Sequence, residues 1–207
     1  MAESVTILNY SHPLTERQIE QIESLLTGQR YEQIGTLLTE QQREQIISLL
    51  SEQQFERMKL LLTEQRFEQM ESIFTEQQLE QIGSHLTEQQ IERIHSLIDT
   101  PVGEVFKLKC KFDHQVSFQK QLVELQSEIP FSSKELQTKP ILLVPPALNF
   151  IAAMVISDLH GRMGYFPPII RIRRVENSTP PRYEVAEIIN LQDVRDSARD
   201  WRAAGEG

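Results

Sequence analysis

Apolar positions recur with different spacings along this 207-residue chain, and each spacing predicts a different element. Residues 5–9 are a short β-branched run stopped by Ser11, His12 and Pro13, which predicts a strand entering a turn. Over 14–97 the apolar side chains return at positions 1, 5 to 6, 9 and 12 of a 12-residue unit. Seven copies align on Thr15, Thr27, Thr39, Ser51, Thr63, Thr75 and Thr87. A straight helix would turn its apolar face by about 120° with every such copy, exposing that stripe on all sides. Each unit instead opens on a Thr or Ser suited to an N-cap. Gln18, Gln42, Gln54, Gln78 or Gln90 follows three positions later, the pattern of a capping box. Helices of about nine residues, restarting at each Thr or Ser and stabilised by stacking, are therefore expected in place of one continuous helix.

After the repeat the periods shorten and mix. Residues 102–112 alternate as a strand, and Phe118, Leu122, Leu125 and Ile129 mark a helix ending before Pro130. Residues 141–144 form an unbroken apolar run between prolines, which predicts a buried parallel strand. Asn149 is placed to cap a helix from Phe150 to about His160, ended by Gly161. Residues 169–175 and 183–189 alternate around a Pro-containing loop and predict a hairpin. Leu191, Val194, Ala198 and Trp201 define a last helix behind Asn190.

This order predicts an α/β fold: a small Rossmann-like, mostly parallel sheet with helices on both faces and an antiparallel edge. It also predicts an inserted all-α array of the seven repeats. The expected organisation is a first strand and helix over 1–25, the insertion over 26–97, and the remainder of the α/β domain over 101–207. Excising 26–97 leaves 135 residues with the topology intact, as if the first helix had been copied in tandem.

Charge follows the same division. Residues 14–97 hold 15 Glu and no Asp against 7 Lys or Arg, whereas 101–207 hold 14 Lys or Arg against 13 Asp or Glu. The net −9 of the whole chain argues against wrapping duplex DNA, yet leaves room for a local anion site in the near-neutral part. The single cysteine, Cys110, read as a buried strand residue, excludes an internal disulfide and a multi-cysteine zinc site. The start of the chain lacks the basic and apolar regions of a secretion signal. The longest uncharged stretch, 140–157, is broken by Pro145, Pro146 and Asn149. A soluble, cytoplasmic protein without a membrane span is expected.

Candidate chemistry lies where an open α/β sheet binds ligands, beyond the carboxyl ends of its strands. The first strand delivers Asn9, Ser11 and His12 to that edge, and the third delivers Pro145, Pro146 and Asn149, each just before a helix whose N-terminus suits phosphate. Arg182, in the hairpin loop, is a further candidate. No glycine-rich turn follows the first strand, so an ordinary dinucleotide site is not expected. Arg171, Arg173 and Arg174 read as a solvated face, and His160 and Arg162 as dimer or packing residues at the opposite edge. Catalytic chemistry is weakly marked: His12 is the one candidate general acid, the dispersed histidines have no metal-ligand spacing, and no cofactor is expected. The Glu- and Gln-rich repeat reads as a scaffold or spacer.

Several strings are more specific. The run Asn9-Tyr-Ser-His-Pro-Leu-Thr15, the run Val144-Pro-Pro-Ala-Leu148, and above all His160-Gly-Arg-Met-Gly-Tyr-Phe-Pro167 resemble the small CRISPR-associated accessory family Csx number fifteen. Residues 180–195, Pro-Pro-Arg-Tyr-Glu-Val-Ala-Glu-Ile-Ile-Asn-Leu-Gln-Asp-Val-Arg, add to that likeness. It covers 5–25 and 101–200; residues 26–97 lie outside it. The resemblance implies a cytoplasmic protein of Type III CRISPR defence with a Rossmann-like domain that binds a cyclic oligoadenylate messenger, cyclic tetra-adenylate foremost. It implies sequestration of that messenger or its slow, metal-independent cleavage by a ring nuclease. Four phosphates on the ring suit two copies of a modest site, so a homodimer or higher homo-oligomer is expected. A structural, oligomerising role for the repeats is the third reading.

Overall fold

Two runs have no exposed residue, and they take the middle of the sheet. In the computed structural model, which describes residues 4–63, 72–98 and 102–205, these are β1 (Val5–Asn9) and β3 (Ile141–Val144). They pair in parallel, Ile7 beside Leu142 and Leu8 beside Leu143. β2 (Val102–Lys107) adds in parallel on the far side of β1, and β4 (Ile169–Arg174) in parallel beside β3. β5 (Tyr183–Ile189) closes the row antiparallel to β4. The order β2-β1-β3-β4-β5 is that of a doubly wound sheet carrying one antiparallel edge strand. The described residues divide into two units, 4–19 with 102–205, and 20–98.

The sheet's core lies under three helices, α6 (Phe118–Ser127), α7 (Ser133–Thr138) and α8 (Asn149–Met163). Leu8 and Leu143 meet Leu122, Leu125, Leu136, Ile151, Val155 and Leu159 in one cluster. Ile7, Leu142 and Ile170 alternate to the other face and are buried as well, as strands covered on both sides require. Right-handed crossovers put the β2–β3 and β3–β4 connections on one face and make the chain leave β1 toward the other.

Several boundaries differ from expectation, each for a local reason. β2 stops at Lys107 and not at 112, because β1, its ladder partner, ends at Asn9. Leu108 N–H still donates to the Asn9 carbonyl (2.9 Å), after which Cys110 N–H turns back to the Leu108 carbonyl and Lys111 N–H to the Lys109 carbonyl. Cys110 is thus a half-buried loop residue, and burial raises its thiol pKa. α7 was not expected, although Ser132 and Glu135 spell a capping box that the structure forms. α8 runs through Gly161 and ends at Gly164, whose φ of 81° is the left-handed conformation of a helix C-cap. α9 (Leu191–Ala203) is capped by Asn190 as expected.

In the second unit the repeat boundaries obey one chemical distinction. α2 (Glu40–Ser48), α3 (Glu52–Thr63), α4 (Glu76–Ser84) and α5 (Glu88–Ile98) begin behind Thr39, Ser51, Thr75 and Thr87. At each of these the hydroxyl accepts from the backbone N–H of the Gln three residues on, and that Gln's side-chain oxygen accepts from the cap residue's own N–H. Thr27 has Arg30 at that place, no box forms, and α1 (Glu16–Leu37) continues through it with the Thr27 hydroxyl donating to the Glu23 carbonyl. The helix expected to start at Thr63, which has Arg66 at that place, falls largely outside the described residues.

The same glutamines do a second job. Gln42 and Gln90 donate to each other's side-chain oxygen at 3.1 Å, and each also donates to a helix-end carbonyl, His85 and Leu37 respectively. Gln54 and Gln78 repeat the arrangement at 2.9 and 3.1 Å, reaching Ile73 and Leu49. The pair 54 and 78 is nested inside 42 and 90, so this stretch folds back on itself and does not run on in one direction. Each reciprocal amide pair joins two helix starts and closes two helix ends.

Candidate functional site

Because the chain leaves β1 and β3 toward opposite faces, their carboxyl ends form a topological switch point, the place where sheets of this kind bind ligands. Tyr10 N–H donates to the Val144 carbonyl (3.0 Å), so the two exit loops begin side by side. The structure therefore brings Ser11 and His12 to the same edge as Pro145 and Asn149. His12 and Asn149 are exposed, and Ser11 and Pro145 half-buried.

Asn9 requires a correction. Only 1% of it is exposed: Oδ1 accepts from the Ser11 N–H and Nδ2 donates to the His12 carbonyl, both at 2.9 Å. Its polar atoms are used in closing the turn, so Asn9 shapes the loop that presents Ser11 and His12 and does not itself face a ligand. Asn149 is likewise no N-cap. Leu148 holds that place, and Asn149 Oδ1 accepts only from the adjacent Phe150 N–H at 2.8 Å. Neither α6 nor α8 has a side-chain cap, so the first-turn N–H groups of both point to this edge without one.

Arg182 reaches the same edge by an indirect route. β4 is parallel to β3, so the loop 175–182 leaves at the carboxyl edge. Gln18, which completes the capping box of α1 with Thr15, donates to the carbonyl of Tyr183 at 3.4 Å. That bond ties the base of the hairpin to the first turn of α1, next to Arg182. Ser178 fixes the loop by accepting from Arg182 N–H and donating to the Val175 carbonyl, both 2.9 Å. Arg171 and Arg173 pair with Glu187 and Glu184 across the strands, in keeping with a solvated face.

The residues in the last turns of α8 make structural contacts. His160 stacks on Phe166, ring centroids 3.9 Å apart and 6° from parallel. Arg162 donates to the Gln126 carbonyl at 3.2 Å and lies 3.8 Å from Asp158. Burial raises the Asp158 carboxyl pKa, and Arg162 opposes it. Beside them the Tyr10 hydroxyl donates to Gln126 Oε1 at 2.7 Å, and burial, reinforced by Asp158, lifts the phenol well above its ordinary range. Folding thus favours neutral Tyr10. Its contribution is complete below the unfolded phenol's pKa of about 10 and is lost as pH rises past it. Tyr10→Phe strands the Gln126 amide, whose nitrogen already lacks a partner, and is expected to cost about 1–2 kcal/mol in urea unfolding at pH 7. The same variant should flatten the alkaline limb of stability.

Sequence reasoning missed a group of side chains here. Reading 102–112 as strand hid the alternation of Lys107, Lys109 and Lys111, all exposed, with Phe106, Cys110 and Phe112. The loop after β2 carries Phe112 and His114 against Phe118, edge to face at 5.4 and 5.5 Å. Phe118 in turn stacks on Phe150 of α8, centroids 5.5 Å apart and planes 9° apart. Interleaved lysines and aromatics were the available signal.

Among the described residues no three His, Cys, Asp or Glu side chains gather as a metal site would need, and no helix is long and apolar enough to cross a membrane. In the comparisons with known proteins, no family model, no curated protein and no solved structure matches this chain.

Proposed function

We propose that the protein binds a cyclic oligoadenylate, cyclic tetra-adenylate foremost, and sequesters it, lowering the free messenger that drives a Type III CRISPR response in the cytoplasm. The observation that carries this reading is the β1/β3 switch point, with Ser11, His12, Pro145 and Asn149 in the two loops that leave it and Arg182 in a loop at the same edge. Helix N-termini without side-chain caps offer N–H groups and a favourable dipole to phosphodiesters. Sequestration is favoured over cleavage because His12 comes from an exposed loop and, among the described residues, no second acid or base is hydrogen-bonded to its side chain. A symmetric homodimer would offer two such edges to one four-phosphate ring. In this reading the seven-unit array is an inserted scaffold that leaves the binding body intact.

Incubation of the full chain with labelled cyclic tetra-adenylate, read for mobility shift and cleavage in the same samples, tests the proposal. A retarded complex with intact ligand is expected, and Arg182→Glu should weaken it about tenfold or more. Absence of a complex with cyclic adenylates of every ring size contradicts the reading. Linear products that vanish in His12→Ala replace sequestration with ring-nuclease activity.

A further inference from the structure

The proposed site leaves one question of chemistry open: a phosphate notch alone does not hold nucleobases. We propose that the Phe118–Phe150 stack is a nucleobase platform and that Lys107, Lys109 and Lys111 contact the phosphates attached to the stacked base. The inference rests on the switch-point reading above and specifies its ligand chemistry.

Phe118 opens α6, which follows β2, and Phe150 opens α8, which follows β3. Since β1 lies between those strands, the stack joins the two loops flanking the end of β1, beside the turn of Ser11 and His12. Phe112 and His114 pack edge to face with Phe118 and hold its ring. Phe150 covers one of its faces, yet 44% of Phe150 itself is exposed. Leu148, one residue before α8, is 45% exposed at the same loop. An exposed, pre-stacked aromatic at a loop crossing gives up solvent when a flat π-system covers it, without rearrangement of its support.

Charge selects the occupant. Lys107, Lys109 and Lys111 are exposed, and among the described residues none is ion-paired. The one carboxylate in the loop, Asp113, accepts from the Gln115 N–H at 2.8 Å, and Gln121 bonds the Asp113 backbone. Three unpaired cations in and next to the loop that carries Phe112 and His114 suit a base joined to phosphate, and not an apolar peptide. Stacking tolerates every base, so the platform adds affinity and orientation, while purines gain most from their larger π-face.

The test uses the full chain with cyclic tetra-adenylate and, separately, AMP. Phe150→Ala and Phe150→Leu should each weaken cyclic tetra-adenylate by about tenfold or more with the melting temperature held within a few degrees, because Phe150 is half exposed. Phe150→Leu keeps apolar bulk without a ring, so a matching loss assigns the effect to stacking. In a Trp201→Phe background, the indole introduced by Phe150→Trp should be quenched by either ligand. Wild-type binding with Phe150→Leu within twofold of it overturns the platform and leaves the messenger reading standing. Quenching by AMP without any cyclic adenylate binding supports the platform and overturns the messenger reading. No binding and no quenching overturns both.

Discussion

Asn9→Asp is expected to destabilise the protein by about 3 kcal/mol and to remove cyclic adenylate binding. The substitution keeps the shape of the side chain but replaces the Nδ2 donor with an oxygen facing the His12 carbonyl, at a site only 1% exposed. A donor–acceptor bond becomes a contact between two acceptors, and a charge is left in the interior. Asn9→Ala is expected to cost less, about 2 kcal/mol, because it removes both bonds without burying a charge. Chemical unfolding checks the stability of each variant. Binding of the folded Asn9→Ala variant then separates loop shape from loss of fold: it should bind more weakly than wild type at temperatures where it is fully folded. Unchanged affinity in that folded variant would mean that the turn does not position the ligand-facing residues.

The second large effect is expected in residues 20–98. Gln42→Ala removes the cap bond to Thr39, the donation to His85 and one half of the pair with Gln90. A cap contributes about 1 kcal/mol and a further half-buried bond about as much, so roughly 2 kcal/mol is expected. Gln90→Ala should act alike through Thr87 and Leu37. The double variant should cost about 1 kcal/mol less than the two singles together, since each single already deprives the other amide of its partner. Native-state hydrogen exchange over 40–48 and 88–98 reads this directly. Strict additivity would refute the reciprocal pair and leave only independent caps.

These two glutamines show where the sequence was legible. Their role as caps follows from a Thr or Ser three residues before, a purely local pattern. Their role as clasps depends on which unit folds against which, and units so alike carry no mark of that choice. The exception was readable: Arg30 in place of Gln leaves Thr27 without a box, and α1 passes through it. The middle strands were plain because burial on both faces favours short runs rich in apolar and β-branched residues. The end of β2 was not, because alternation persists to Phe112 after the ladder partner has turned away at Asn9. That one overrun concealed the lysine and aromatic loop. Asn9 was misassigned for a related reason: an Asn at a strand end can point outward or close the turn, and only the tertiary path of 10–13 decides.

Hydrogen–deuterium exchange of the full chain with and without saturating cyclic tetra-adenylate tests the central claim most directly. Protection is predicted over 9–15, 107–118 and 145–151, with 40–48 and 88–98 unchanged. Protection confined to the helical repeats, or no protection at the ends of β1 and β3 despite a bound ligand, would contradict the account.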